Sequence, residues 1–293
     1  MNENASNTYN QSANRLYISN DSAVFIIQIP VSILSIILAI LYMVLISTRP
    51  LFRKNKLNWF TVNVCLTSVF LCSIILQMSI QQLLTVSSDL SCRLQAYLAD
   101  MAACQMMYSH CVVAISRIFT IVYSNKQFFR SNSYIWLCIG LGWLFGLLIA
   151  LPHLFSNSFA CPSDEQPDFM PYYTLATTLL IPVATVTLCN IRIFLFVRQS
   201  TRRVGVTGGS GQTSHSRDVF LLKTTIGTFV AFLIGWTPLL AIQLFNKNDS
   251  IPSFLNACIQ VLPSITILYD VIVIIYTNQP VRSFIKQIII RRP

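Results

Sequence analysis

The chain has 293 residues, 54% of them hydrophobic and only 10% charged, with a mean hydropathy of +0.61. A soluble domain carries about a quarter charged residues, so this composition excludes one and points to a chain immersed in lipid. The net charge of +10 is a matter of membrane topology and of contact with acidic headgroups, and it gives no support for nucleic-acid binding.

Met1–Asp21 is polar and Asn-rich, without the basic start and short apolar core of a cleavable signal peptide. Asn4, Asn10 and Asn20 each begin an Asn-X-Ser sequon, as does Asn248 further on. Residues 1–23 are therefore expected to form a glycosylated extracellular tail. Seven apolar runs of membrane-crossing length follow: Val24–Ser47, Trp59–Leu84, Leu94–Tyr123, Tyr134–Phe155, Tyr172–Val197, Val219–Phe245 and Phe254–Thr277. The first has to serve as its own insertion signal. The third is the most polar, with Asp100, Gln105, His110 and Arg117, and is expected inside the bundle with little lipid contact. Gly142 and Gly146 form a GxxxG pattern in the fourth, which favours close packing within the bundle. Residues 204–216 are rich in Gly and Ser and read as a flexible coil. Asn278-Gln-Pro280 breaks the last span, and residues 281–292 alternate apolar and basic as a helix lying on the membrane face does. The fold class is thus an all-α membrane protein, a seven-transmembrane helix bundle with a short cytoplasmic surface helix. Its parts are the tail 1–23, the bundle 24–277 and the end piece 278–293.

With the N-terminus outside, Arg49, Arg53, Lys54, Lys56, Lys126, Arg130, Arg198, Arg202, Arg203, Arg217, Arg282 and Lys286 all fall on one side. The other side holds only Arg15, Arg93 and Lys247 among its basic residues. Lys and Arg collect in the cytoplasm, so the N-terminus is expected outside and the C-terminus inside, in the plasma membrane. Seven of the nine cysteines lie within spans, where Cys behaves as a small hydrophobe. Cys92 and Cys161 remain on the oxidising side, and a disulfide between them is expected.

Two features ask for more than a lipid-soluble scaffold. Phe232-Leu-Ile-Gly-Trp236-Thr-Pro238 puts a proline inside an apolar helix, where it removes a backbone hydrogen bond and softens the helix. Arg117 stands alone among apolar neighbours, although an ionised side chain is costly near hydrocarbon. A pivot in one helix and a charged latch in another are parts of a receptor. Asp100 lies 17 residues before Arg117, about 25 Å at 1.5 Å per residue, where a pocket would open, and it reads equally as a ligand contact or as a structural partner of another helix. Asp270 in the seventh span is read as a core hydrogen-bonding residue. No metal motif, phosphate-binding loop or catalytic triad is present, so no enzyme, cofactor or metal is expected.

In order and spacing these features resemble the rhodopsin-like family of G-protein-coupled receptors. The resemblance runs through Asn63 in the second helix, Cys92 at the start of the third, and Ser116-Arg117-Ile118 at its end. It continues through Trp143 and Pro152, Pro182, Phe232 with Trp236 and Pro238, then Tyr276 and Phe284. It implies a ligand site of Asp100, Ala103, Met107, Trp236 and Gln243. It also implies an activation switch of Arg117, Phe232, Trp236, Pro238, Tyr276 and Pro182. The partners it implies are an extracellular ligand, heterotrimeric G protein and membrane lipid. The chain departs from the family pattern at Ser68 for an Asp, Ser116 for the acid before the Arg, Ile272-Val273 for Asn-Pro, and Asn190 for a Tyr. The amine-binding carboxylate falls at Ala99 and the retinal lysine at Thr266, so neither an amine receptor nor an opsin is expected. The acidic stretch from Cys161 to Asp168 would attract a basic ligand, and a peptide is the expected class. The competing reading is a seven-helix transporter or channel using Asp100, Arg117 and Asp270.

Overall fold

The computed structural model describes residues 3–53, 57–84, 89–123, 127–155, 169–204, 212–245 and 252–290, with the surroundings of most side chains from Val24 onward. Among these residues all regular elements are helical. The main ones are α1 (Glu3–Thr48), α2 (Leu57–Leu84), α3 (Asp89–Ile121), α4 (Asn132–Phe155), α5 (residues 170–204), α6 (Gln212–Phe245), α7 (Ser253–Thr277) and α8 (Gln279–Ile290). Helices follow from the setting, since in lipid each backbone N–H and C=O has to find its partner within the chain. Six helices carry a described stretch long and apolar enough to cross a membrane. In α6 the described apolar stretch is the shorter Ile226–Ile242.

The polar third helix is central. It packs against α2, α4 and α5, and 61% of its span is buried against 22% for α4. α1 lies on α2 and α7, and α6 lies on α7. The GxxxG face of α4 turns to α3: a Cβ added at Gly142 would sit 3.0 Å from Val112, and one at Gly146 would sit 2.7 Å from Gln105 Nε2. Close approach lets Gln105 Nε2 donate to the Trp143 carbonyl at 2.7 Å, while Trp143 Nε1 donates to Asn63 Oδ1 at 2.9 Å. These bonds tie α2, α3 and α4 into one unit.

Three local features differ from the sequence reading. The backbone of α1 is helical from Glu3, so the polar tail continues the first span as helix. Of the stretch expected as coil, Val204 belongs to α5 and residues 212–216 to α6, while 205–211 lie outside the described residues. Within α5, Leu175–Leu180 is a π-helical turn, flanked by α-helix at Met170–Thr174 and Ile181–Val204. Pro182 follows one residue later, and its missing N–H and bulky ring cannot continue an ordinary turn. The wider turn takes up the extra residue, a form often found at functional sites.

Candidate functional site

At the end of the bundle nearest Asp100, three helices meet through a polar chain. Asp100 Oδ2 on α3 lies 2.8 Å from His153 Nδ1 on α4. His153 Nε2 is 3.3 Å from Thr174 Oγ1 on α5, so both ring nitrogens have partners. The Tyr173 hydroxyl donates to the Ile149 carbonyl at 2.8 Å, and the Tyr108 hydroxyl donates to the Thr177 carbonyl at 3.1 Å within the π turn. Cys104 Sγ and Thr178 Oγ1 are 3.4 Å apart. The His153 side chain is 5% exposed and that of Asp100 30%. The carboxylate expected to meet a ligand is therefore already engaged by a neighbouring helix.

Further along α3, Ala103 and Met107 follow Asp100 at helical spacing on one face. Both are buried in the main core, which also contains Phe232 and Trp236. The rings of Phe232 and Trp236 are stacked, with centroids 5.3 Å apart and planes 10° from parallel. Pro238 lies within α6 just beyond them. Gly235 brings α6 against α7 so closely that an added Cβ would lie 2.5 Å from Thr266. Trp236 Nε1 is buried with no hydrogen-bond partner among the described residues.

Below the stack lies a second His–Asp pair. His110 sits 5.9 Å from the Phe232 ring, centroid to centroid, and its Nε2 is 3.1 Å from Asp270 Oδ2 on α7. The two side chains are 5% and 1% exposed. The atoms are within ion-pair distance, yet the ring N–H is not aligned for a hydrogen bond, and both Asp270 oxygens lack an aligned donor. The partner of Asp270 is thus His110. Ser68 donates its hydroxyl to the Val64 carbonyl at 2.8 Å, within its own helix. Pro182 is buried, and its carbonyl accepts from Cys111 Sγ at 3.8 Å.

Arg117 lies half-buried near the far end of α3, and the Ser116 hydroxyl before it donates to the Val113 carbonyl at 2.8 Å. Tyr276, expected as an activation switch, is 63% exposed on the outer face of α7, with the Arg282 guanidinium 5.5 Å from its ring centre. The helical phase explains this: Asp270, Val271 and Ile274 face inward, and Tyr276 two residues on is turned about 200° from Ile274. Another tyrosine occupies the inner polar network at that end. Asn278 Nδ2 donates to the Tyr42 hydroxyl at 2.9 Å and to Asn58 Oδ1 at 3.1 Å. Tyr42 also bonds Thr61 Oγ1 at 2.8 Å, and Asn58 Nδ2 donates to the Phe52 carbonyl at 2.8 Å. Cys161 lies outside the described residues, as do the side chains of Cys92, Gln243, Asn4, Asn10 and Asn20.

Asp100, His110 and Asp270 stand out in the sequence as ionisable groups inside spans, but the sequence does not join Asp100 to His153 or Asp270 to His110. The usable signal was that two of only three histidines fall within apolar helices beside two intramembrane acids. Tyr42, Asn58 and Asn278 carried no such mark.

The sequence model of the family described as "7 transmembrane receptor (rhodopsin family)" matches residues 38–278. The chain belongs to that family. This receptor is 28% identical over 174 residues to melatonin receptor type 1A of Gallus gallus, covering 55% of this chain and 47% of the relative. It is 26% identical over 207 residues to melatonin receptor type 1B of Rattus norvegicus, covering 65% and 55%. Its identity to Opsin-5 of Homo sapiens is 21% over 202 residues, covering 63% and 57%. The chain spans about half the length of the curated relatives it matches.

Proposed function

We propose that this receptor crosses the plasma membrane seven times with its N-terminus outside, and couples an extracellular ligand to heterotrimeric G proteins by an outward swing of α6. The observation that carries the reading is the buried Phe232–Trp236 stack beside Pro238, placed between Asp100 and Arg117 along the bundle. A ligand pressing on Trp236 acts on a helix softened at Pro238, and Arg117 receives the G protein at the other end. In this reading Cys92 and Cys161 form a disulfide, Asn4, Asn10 and Asn20 carry glycans, and Asp100, Ala103, Met107, Trp236 and Gln243 line the pocket.

The ligand class is the finer question. Asp100 is engaged by His153, so a cationic ligand has to compete for its carboxylate. A small uncharged molecule leaves that pair intact, and the relatives named for melatonin supply the first compound to test. A peptide is the second class, favoured by the acidic stretch Asp164, Glu165 and Asp168. The α7 sequence contains no lysine, which counts against a retinal Schiff base.

The test is nucleotide exchange on G protein by the full-length receptor in lipid vesicles, with melatonin and with basic peptides. Arg117→Ala should abolish exchange while ligand binding stays within about threefold, because the two sites are about 25 Å apart. Full exchange by a well-folded Arg117→Ala receptor would remove Arg117 from the mechanism.

A further inference from the structure

We propose that the His110–Asp270 pair is the restraint that holds α7 to α3 in the inactive receptor, released through Phe232 when Trp236 moves. This rests on the receptor reading above. Three observations converge on it. The pair joins the central helix to α7 at 3.1 Å, with both side chains almost fully buried. His110 touches the Phe232 ring, and Phe232 is stacked on Trp236, so displacement of the tryptophan reaches the pair through one intervening side chain. Neither Asp270 oxygen has an aligned donor, so nothing else among the described residues would keep its carboxylate in place once His110 shifts.

The geometry also sets the kind of contact. A contact at 3.1 Å without an aligned hydrogen bond tolerates a range of orientations. It can yield to a small ring rotation, where a well-aligned bond resists. His110 and Asp270 are therefore positioning residues: they set the balance between resting and active arrangements and touch neither ligand nor G protein.

The experiment measures basal nucleotide exchange per folded receptor, without ligand, for His110→Asn, Asp270→Asn, the double variant and the swapped pair His110→Asp with Asp270→His. Each single variant should raise basal exchange about fivefold or more, the lower range of a coupling between sites. The double variant should add nothing, because both changes remove one contact. The swapped pair should return basal exchange to within about twofold of the unaltered receptor. Unchanged exchange in folded single variants overturns the proposal, as does additive behaviour in the double. If neither single variant folds, the swapped pair decides: rescue of folding with low basal exchange supports the restraint, and failure of all forms overturns it by making the pair scaffold only. Deuterium uptake over Phe232–Pro238 separates this proposal from the coupling reading. Faster uptake in the single variants without nucleotide exchange in any form leaves the restraint standing and removes the G-protein role.

Discussion

Among the described residues two His–Asp pairs link α3 to a neighbouring helix, and they differ in where they lead and in how well their atoms are matched. The Asp100–His153 pair joins α3 to α4 at 2.8 Å, with Thr174 on the second ring nitrogen and part of the carboxylate open to the surroundings. The His110–Asp270 pair joins α3 to α7 at 3.1 Å, deeper in the protein and without an aligned hydrogen bond. The first belongs to the side where α2, α3 and α4 are tied by Gln105, Trp143 and Asn63. The second faces the side where α6 carries a proline and α7 packs on it across Gly235. The comparison teaches that one residue combination serves as a clamp when its lone pairs and protons are matched, and as a joint when they are not.

The largest expected effect tests that contrast. Asp100→Ala leaves His153 buried beside a missing partner and should destabilise the receptor by about 2–3 kcal/mol, read as a lowered Tm in detergent. Asp270→Asn keeps the shape of the side chain and removes no aligned hydrogen bond, and should cost under about 1 kcal/mol. Were Asp270→Asn the more destabilising of the two, the distinction between clamp and joint would be broken.

A second test sharpens the joint itself. Gly235→Ala puts a methyl against Thr266, a β-branched side chain with little freedom to move aside, and should cost about 1–2 kcal/mol. Gly227→Ala on the same helix meets nothing within 4 Å and should be neutral or slightly stabilising, since alanine favours helix over glycine by about 1 kcal/mol. Equal Tm values for the two variants would mean that α6 and α7 do not approach closely at Gly235. The smallest effect is expected at the other end. Asn278→Ala removes two hydrogen bonds from the network of Tyr42 and Asn58 and should lower stability by about 1 kcal/mol, with Tyr42→Phe giving part of the same loss.

What could be read from the sequence follows from which forces are local. Membrane-length apolar runs announce helices because lipid leaves the backbone no alternative, and the polar third helix was placed at the centre on solvation grounds alone. The GxxxG contact of Gly142 and Gly146 was equally legible, since small residues four apart make a flat face. Pairing was not. Asp100 could be placed along α3, but its relation to His153 depends on the rotation of α4 and on the π turn next to Thr174, neither of which has a sequence period. The direction in which Tyr276 faces was out of reach for a similar reason. Its likeness to the family's terminal tyrosine gave the position along the helix, whereas the inward facing of Asp270 and Ile274 decided its direction.

The π turn at Leu175–Leu180 carries a consequence for evolution. One extra residue in a helix rotates everything on its N-terminal side by about 100° relative to the rest. A relative lacking that residue would present a different face of its fifth helix to the third and fourth, even with every side chain conserved. Residue-by-residue comparison of pockets is then out of phase across this segment, and a single-codon deletion at Ala176 would recast the Thr174 contact with His153 while leaving the helix beyond Pro182 in register.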